Sequence, residues 1–202
     1  MSTDLGAFTK EAKRISRRSR AIACSIVKGN TPEDRIRQRC VIATGDPEFA
    51  RLMRFCNNPV KAGIEAIKRG VDIFTDIRMA QVGITKIGHR CDIRCVLDSG
   101  IKNEERTRTS SGFFAVKHKL SGAIIVIGNA PSAAITVCDM IKKGLKPALL
   151  IATPVGFVNA TEAKERVRRL EIPSITCIGT KGGTPVAVAV VNELVEMAIQ
   201  KA

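Results

Sequence analysis

Three stretches in the C-terminal half repeat one pattern and restrict the fold more than any other feature. "AIIVIGNAPSAAITVCDM" (123–140), "LLIATPVGFVNATEAKERV" (149–167) and "SITCIGTKGGTPVAVAVV" (174–191) share it. Each runs an apolar segment too short for a helix through a glycine-bearing turn into a helical segment. Earlier, "VDIFTD" (71–76) and "CDIRCVL" (91–97) read as two further strands. Five strands separated by helical stretches predict a mainly parallel sheet, because parallel neighbours need crossover connections. The near-complete apolarity of the last three strands implies helices on both faces. The chain is therefore expected to be α/β, one domain over residues 1–202.

The helices carry their own punctuation. "RRSRAIACSIVKG" predicts an early helix stopped by Gly29. In "NTPEDRIRQRCVIATG" Thr31 is the expected N-cap, with Pro32 at the first helical position and acidic residues in the first turn. "NNPVKAGIEAIKRG" repeats this with Asn58, Pro59 and a terminal Gly70. "TPVAVAVVNELVEMAIQKA" is an apolar helix that buries against the sheet or a partner subunit. In "VNATEAKERVRRLE" the pairs Glu162–Arg166 and Glu165–Arg169 are four apart and predict a wet face.

The chain has 202 residues, of which 45% are hydrophobic and 26% charged, as in a water-soluble globular protein. No apolar run has the length of a membrane span, and the polar start Ser2-Thr3-Asp4 opposes a secretory signal. A cytoplasmic protein is expected, so the "NAT" acceptor triplet at Asn159 is assigned to chance. The seven cysteines (24, 40, 56, 91, 95, 138 and 177) are odd in number and lie mostly among aliphatic residues. They read as small core hydrophobes, with neither a disulfide framework nor a zinc site expected.

Charge is less ordinary: 33 Lys and Arg against 19 Asp and Glu give +14. Between residues 10 and 39 lie Lys10, Lys13, Arg14, Arg17, Arg18, Arg20, Lys28, Arg35, Arg37 and Arg39, against only Glu11, Glu33 and Asp34. Such a field suits nucleic acid, phosphorylated metabolites or a polycarboxylate. With no Trp or Tyr and 3% aromatics, stacking platforms for nucleic acid are lacking. Anionic small molecules are the better match. In an open parallel sheet they sit beyond the carboxyl ends of the strands, where helix N-termini offer unpaired amides. The turns at Gly128, Gly156 and Gly182-Gly183 are thus expected to hold anions. None fits a dinucleotide or Walker-type motif.

"GNAPSA", "PVGFVNATEAKE" and "GTKGGTPVAVAVVNEL" together resemble the precorrin-8X methylmutase family of cobalamin biosynthesis. "TGD" at 44–46, "TDIRMAQVGIT" at 75–85 and "TRTS" at 107–110 are similar in the same order, so the resemblance covers nearly the whole chain. It implies an isomerase that moves one methyl group from carbon 11 to carbon 12 of a corrinoid intermediate. It also implies a homodimer with the site near the subunit interface, and no cofactor or metal. The substrate's acetate and propionate arms suit Arg, Lys and helix N-termini. Matched position by position, the resemblance implies substrate contacts at Ser19, Arg39, Thr85 and Arg108. The glycine turns add Gly128, Asn129, Gly156, Lys181, Gly182 and Gly183.

One position departs from the family. Three residues before the glycine of "TGD" the family carries a proton-transferring His, and here Ile42 stands there. Imidazole titrates near neutrality and suits protonation of a conjugated ring, whereas isoleucine can only pack. His89 and His118 are the two remaining histidines, and Cys40, Thr44 and Asp46 are near in sequence. Three functions follow: a methylmutase relying on positioning or a substitute acid, a relative that binds or delivers a corrinoid without rearranging it, and a basic nucleic-acid binder.

Overall fold

A computed structural model describes residues 7–101 and 104–200. The start Ser2-Thr3-Asp4, read above as opposing a secretory signal, lies outside the described residues. Helices α1 (Lys10–Ile26), α2 (Pro32–Thr44) and α3 (Phe49–Leu52) lead into strand β1 (Met53–Cys56). Then come α4 (Pro59–Arg69), β2 (Ile73–Thr75), α5 (Arg78–Gly83), β3 (Ile93–Cys95) and α6 (Arg108–Ala115). The repeated units follow as β4 (Ile124–Ile127), α7 (Pro131–Lys142), β5 (Leu149–Ala152), α8 (Ala160–Arg168), β6 (Ser174–Cys177) and α9 (Thr184–Gln200).

Among the described residues the sheet has six strands in the order β1-β6-β5-β4-β2-β3. The five expected strands are present and mutually parallel. The sixth, β1, was not expected: it pairs antiparallel with β6, Met53 opposite Cys177 and Cys56 opposite Ser174. Its sequence, "MRFC", lacks a clean alternation and follows a helical turn without a glycine or proline break, so nothing local marks it.

Side chains alternate between two apolar layers, as a pleated sheet requires. Ile124 and Val126 of β4, with Leu149 and Ile151 of β5, face the layer built from α1, α2, α4 and α9. Ile125, Ile127, Leu150 and Ala152 face the layer of α7 and α8 with Phe113 of α6. The apolar α9 therefore buries against the sheet of its own subunit, with Val190, Val191 and Leu194 fully enclosed.

Helix ends follow most of the expected signals. Thr31 accepts from Asp34 N, Asp34 accepts in return from Thr31 N, and Pro32 is the first residue of α2. Gly70 ends α4 in the left-handed region. Two signals misled. Asn58 takes the N-cap position at φ 54° but makes no side-chain cap bond. The first helix is capped by Thr9 and ends with its C-cap at Val27, two residues before Gly29. The Glu162–Arg166 pair forms, while Glu165 meets Arg168 instead of Arg169.

Candidate active site

The parallel strands end on one rim, and the strand order reverses there: after β3, the chain returns to lay β4 on the other side of β2. Such a switch point opens a crevice in most sheets of this kind. Here it is filled. Asp76, just past β2 and fully buried, accepts from the backbone N–H groups of Gly128 (3.2 Å), Asn129 (2.8 Å) and Ala130 (2.9 Å). The anion held at Gly128 and Asn129 is the protein's own carboxylate, which corrects the expectation that a ligand receives these amides. Burial pushes the Asp76 carboxyl up from its ordinary range, against the pull of the amides that favour its charged form.

The other glycine turns also lock backbone to backbone. Gly183 N donates to Thr153 O at 2.7 Å, and Gly156 N to Thr180 O at 3.0 Å. A side chain at Gly182 would run into the carbonyls of Thr153 and Pro154, and one at Gly128 would lie 2.7 Å from Thr184 Cα. These glycines let the loops after β4, β5 and β6 close against one another; the amide bonds of Gly156 and Gly183 run within that closure.

Lys181 leaves this loop sideways. Its Nζ donates to Asp46 Oδ2 at 2.6 Å and Glu48 Oε2 at 2.5 Å. These contacts raise the Lys181 ammonium above its ordinary value and hold Asp46 below the usual carboxylate range. Asp46 is thus an ionised partner rather than an acid. Thr44 Oγ1 donates to Cys40 O and accepts from Asp46 N, while Gly45 caps α2 at φ 68°. Burial drives the Cys40 thiol far up, leaving it uncharged.

Beside this turn lies a cavity of about 200 Å³, lined by Ser19, Ile22, Ala23, Ile26, Val41, Ile42, Gly45 and Pro47. Ser19 and Ile42, singled out from opposite sides of the sequence argument, share it. Its lining contains no ionisable side chain. The volume is below that of a site for a whole drug-sized ligand, about 300–1,000 Å³, so it accepts an edge of something larger.

Neither histidine reaches this cavity. His89 accepts from Cys91 N at Nδ1 (3.1 Å), so its Nε2 donates to Thr85 O at 2.6 Å, stapling the loop before β3. His118 is exposed in the 3₁₀ turn Lys117–Lys119 ahead of β4, the amino end of the sheet.

Arg39 faces the other way. Its Nη1 donates to Glu193 Oε2 (3.0 Å) and Glu196 Oε2 (2.9 Å) on α9, and Arg35 and Arg20 complete the cluster. Both glutamates are buried, so Arg39 bolts α2 to α9. Thr85 is half-buried, its N–H on Asn192 Oδ1 and its hydroxyl accepting from Ile87 N. Arg108, the first residue of α6, is exposed and forms no ion pair among the described residues. The preceding Thr107 hydroxyl bonds Ser132 Oγ at the start of α7, 2.8 Å away.

Three groups escaped the sequence reading: Asp76, the Glu193–Glu196 pair, and Lys164. A signal existed for the glutamates, since two acids three apart in the otherwise apolar "VVNELVEMA" must find buried partners. Among the described residues no cluster of three His, Cys, Asp or Glu could hold a metal ion. No helix among them is long and apolar enough to cross a membrane.

Comparison with known proteins agrees with this architecture. The precorrin-8X methylmutase family model matches residues 14–197. The cobalt-precorrin-8 methylmutase of Methanocaldococcus jannaschii is 38% identical over 205 residues, covering 96% of this chain and 98% of that protein. The enzyme of the same name from Methanothermobacter thermautotrophicus is 37% identical, covering 98% of each chain. The crystal structure of precorrin-8x methyl mutase from Thermus thermophilus superposes with a TM-score of 0.87 at 31% identity, over 94% of this chain and 97% of that one. Near-complete coverage on both sides, at these identities and with this structural agreement, leaves one conclusion: the chain belongs to the precorrin-8X methylmutase family.

Proposed function

We propose that this protein is an isomerase of cobalamin biosynthesis that takes a precorrin-8 type corrinoid at the rim above β4, β5 and β6 and moves one methyl group from carbon 11 to carbon 12. The observation that carries this reading is the apolar cavity under Ile42 and Ser19, beside a rim carrying Lys181 in a protein of net charge +14. An uncharged recess receives the ring edge with its methyl group, and the cations outside suit its carboxylate arms.

The rearrangement is internal to the substrate: the methyl's bond to carbon 11 breaks as its bond to carbon 12 forms, and the ring's double bonds shift to compensate. Nothing is added or lost, so positioning supplies much of the acceleration. Ile42 donates no proton, and turnover rests on shape and charge around the ring. Ser19 is the hydroxyl in the cavity wall; Arg108 and Thr85 stand as contacts for the ring's periphery. The exposed apolar side chains Phe157 and Val158 on the loop after β5, with Met79 and Val82 on α5, suit cover by a second copy, so we read the working unit as a cytoplasmic homodimer. A nucleic-acid role has no aromatic platform to support it.

Purified protein incubated with precorrin-8, with and without cobalt, and followed by visible spectroscopy tests the reading. Formation of the rearranged product is expected. Tight binding without product would favour the one competing reading that Ile42 motivates, a corrinoid carrier. A salt-dependent shift with DNA and no response to corrinoid would overturn both.

A further inference from the structure

Lys164 of α8 is fully buried, yet among the described residues it meets no carboxylate. Its Nζ donates to the Lys181 carbonyl at 2.6 Å and lies 3.7 Å from Cys177 Sγ, which itself donates to the same carbonyl at 3.2 Å. Burial lowers the Lys164 ammonium from its ordinary value, Cys177 pulls it back up, and Arg168 nearby lowers it further. A lysine without an anionic partner in an interior position costs stability, since an apolar side chain of equal length would bury there freely. What it secures is the backbone at Lys181, whose own ammonium spans Asp46 and Glu48 at the turn beside the Ile42 cavity.

We infer that Lys164 is a positioning residue: its buried ammonium pins the Lys181 carbonyl, and so fixes the Gly179–Gly183 loop in the place from which Lys181 closes onto the turn after α2. Gly182 is pressed against Thr153 on one side, and Gly183 N is bonded to Thr153 O. The carbonyl of Lys181, between Lys164 and Cys177, is the loop's anchor on the sheet side. Without it the loop keeps its glycine contacts but loses the setting of the Lys181 stem. The inference about the rim's use in substrate binding rests on the proposed function; the link from Lys164 to Lys181 does not.

The test is Lys164→Met, which fills the same space without a donor. In protein carrying 13Cε-labelled lysine, the Lys181 resonance of the substitution is expected to titrate at lower pH than in the wild type, toward the ordinary lysine value, with Asp46 moving up in step. The melting temperature should stay level or rise. With substrate, KM should increase by about fivefold or more, the worth of one lost hydrogen bond, with a smaller change in kcat. A merely structural lysine would instead lower melting temperature and leave Lys181 titrating as before. An unchanged Lys181 titration in folded Lys164→Met overturns the inference whatever the wild type does with corrinoid. Loss of the KM effect alone, with Lys181 shifted, would count against the proposed use of the rim. Lys164→Gln serves if the Met substitution does not fold; failure of both to fold would make Lys164 a folding residue and also overturn the inference.

Discussion

Ile42 lines the cavity proposed to take the ring edge, where an imidazole in its place would present a titrating nitrogen. Ile42→His is therefore expected to raise turnover, by up to about a hundredfold, the lower range of a general acid's contribution. Initial rates followed in the visible spectrum check it. The two arginines picked from the sequence should separate cleanly. Arg39→Ala breaks contacts to Glu193 and Glu196 in a largely buried cluster, and is expected to cost about 3 kcal/mol in chemical denaturation. Arg108→Ala should leave stability unchanged and raise KM by about tenfold, the worth of one charge-assisted contact. The chain resemblance could not tell these apart, because both are basic residues in matched motifs. What distinguishes them is the pair of acids on α9, 154 and 157 residues away from Arg39, and that distance is closed only by the fold. That Ser19 and Ile42 share one cavity follows from the packing of α1 against α2, the helices that carry them.

Helix ends and glycine turns set how the elements meet. Thr31→Ala removes the capping box of α2 and is expected to cost about 1 kcal/mol at neutral pH. The Thr31 hydroxyl holds Asp34 below its ordinary value of 3.8, so that contribution is present above that value and is lost as pH falls through the folded-state value. The stability gap between wild type and Thr31→Ala should accordingly narrow in acid, which denaturation at a series of pH values measures. Gly182→Ala drives a methyl into the Thr153 carbonyl and should destabilise the protein by about 1–3 kcal/mol. At this scale the sequence was readable where one local signal suffices: the cap at Thr31, the stop at Gly70, the apolar runs of β4 to β6. It was unreadable where pairing decides. β1 becomes a strand because β6 presents a free edge to it, and Asn58 turns the chain through a positive φ without capping.

For the molecule as a whole, the excess of positive charge should act at a distance. Raising ionic strength from about 0.01 M to 0.15 M shortens the screening length from about 30 Å to about 8 Å, so KM for a polycarboxylate substrate is expected to rise over that range while kcat holds. Steady-state rates at several salt concentrations check this. The α/β class and its parallel core were readable from five apolar runs, whereas the closure of the crevice at Asp76 was not. An anion-binding turn looks the same in sequence whether its anion arrives from solvent or from a neighbouring strand.

The bolts between α2 and α9, and the pairing of β1 with β6, join the beginning of the described chain to its end. A ribosome making this protein releases α1 and α2 long before the glutamates that neutralise them. Synthesis thus exposes the arginines of α2 before their partners on α9 exist, and the cluster they share forms only once both helices are made.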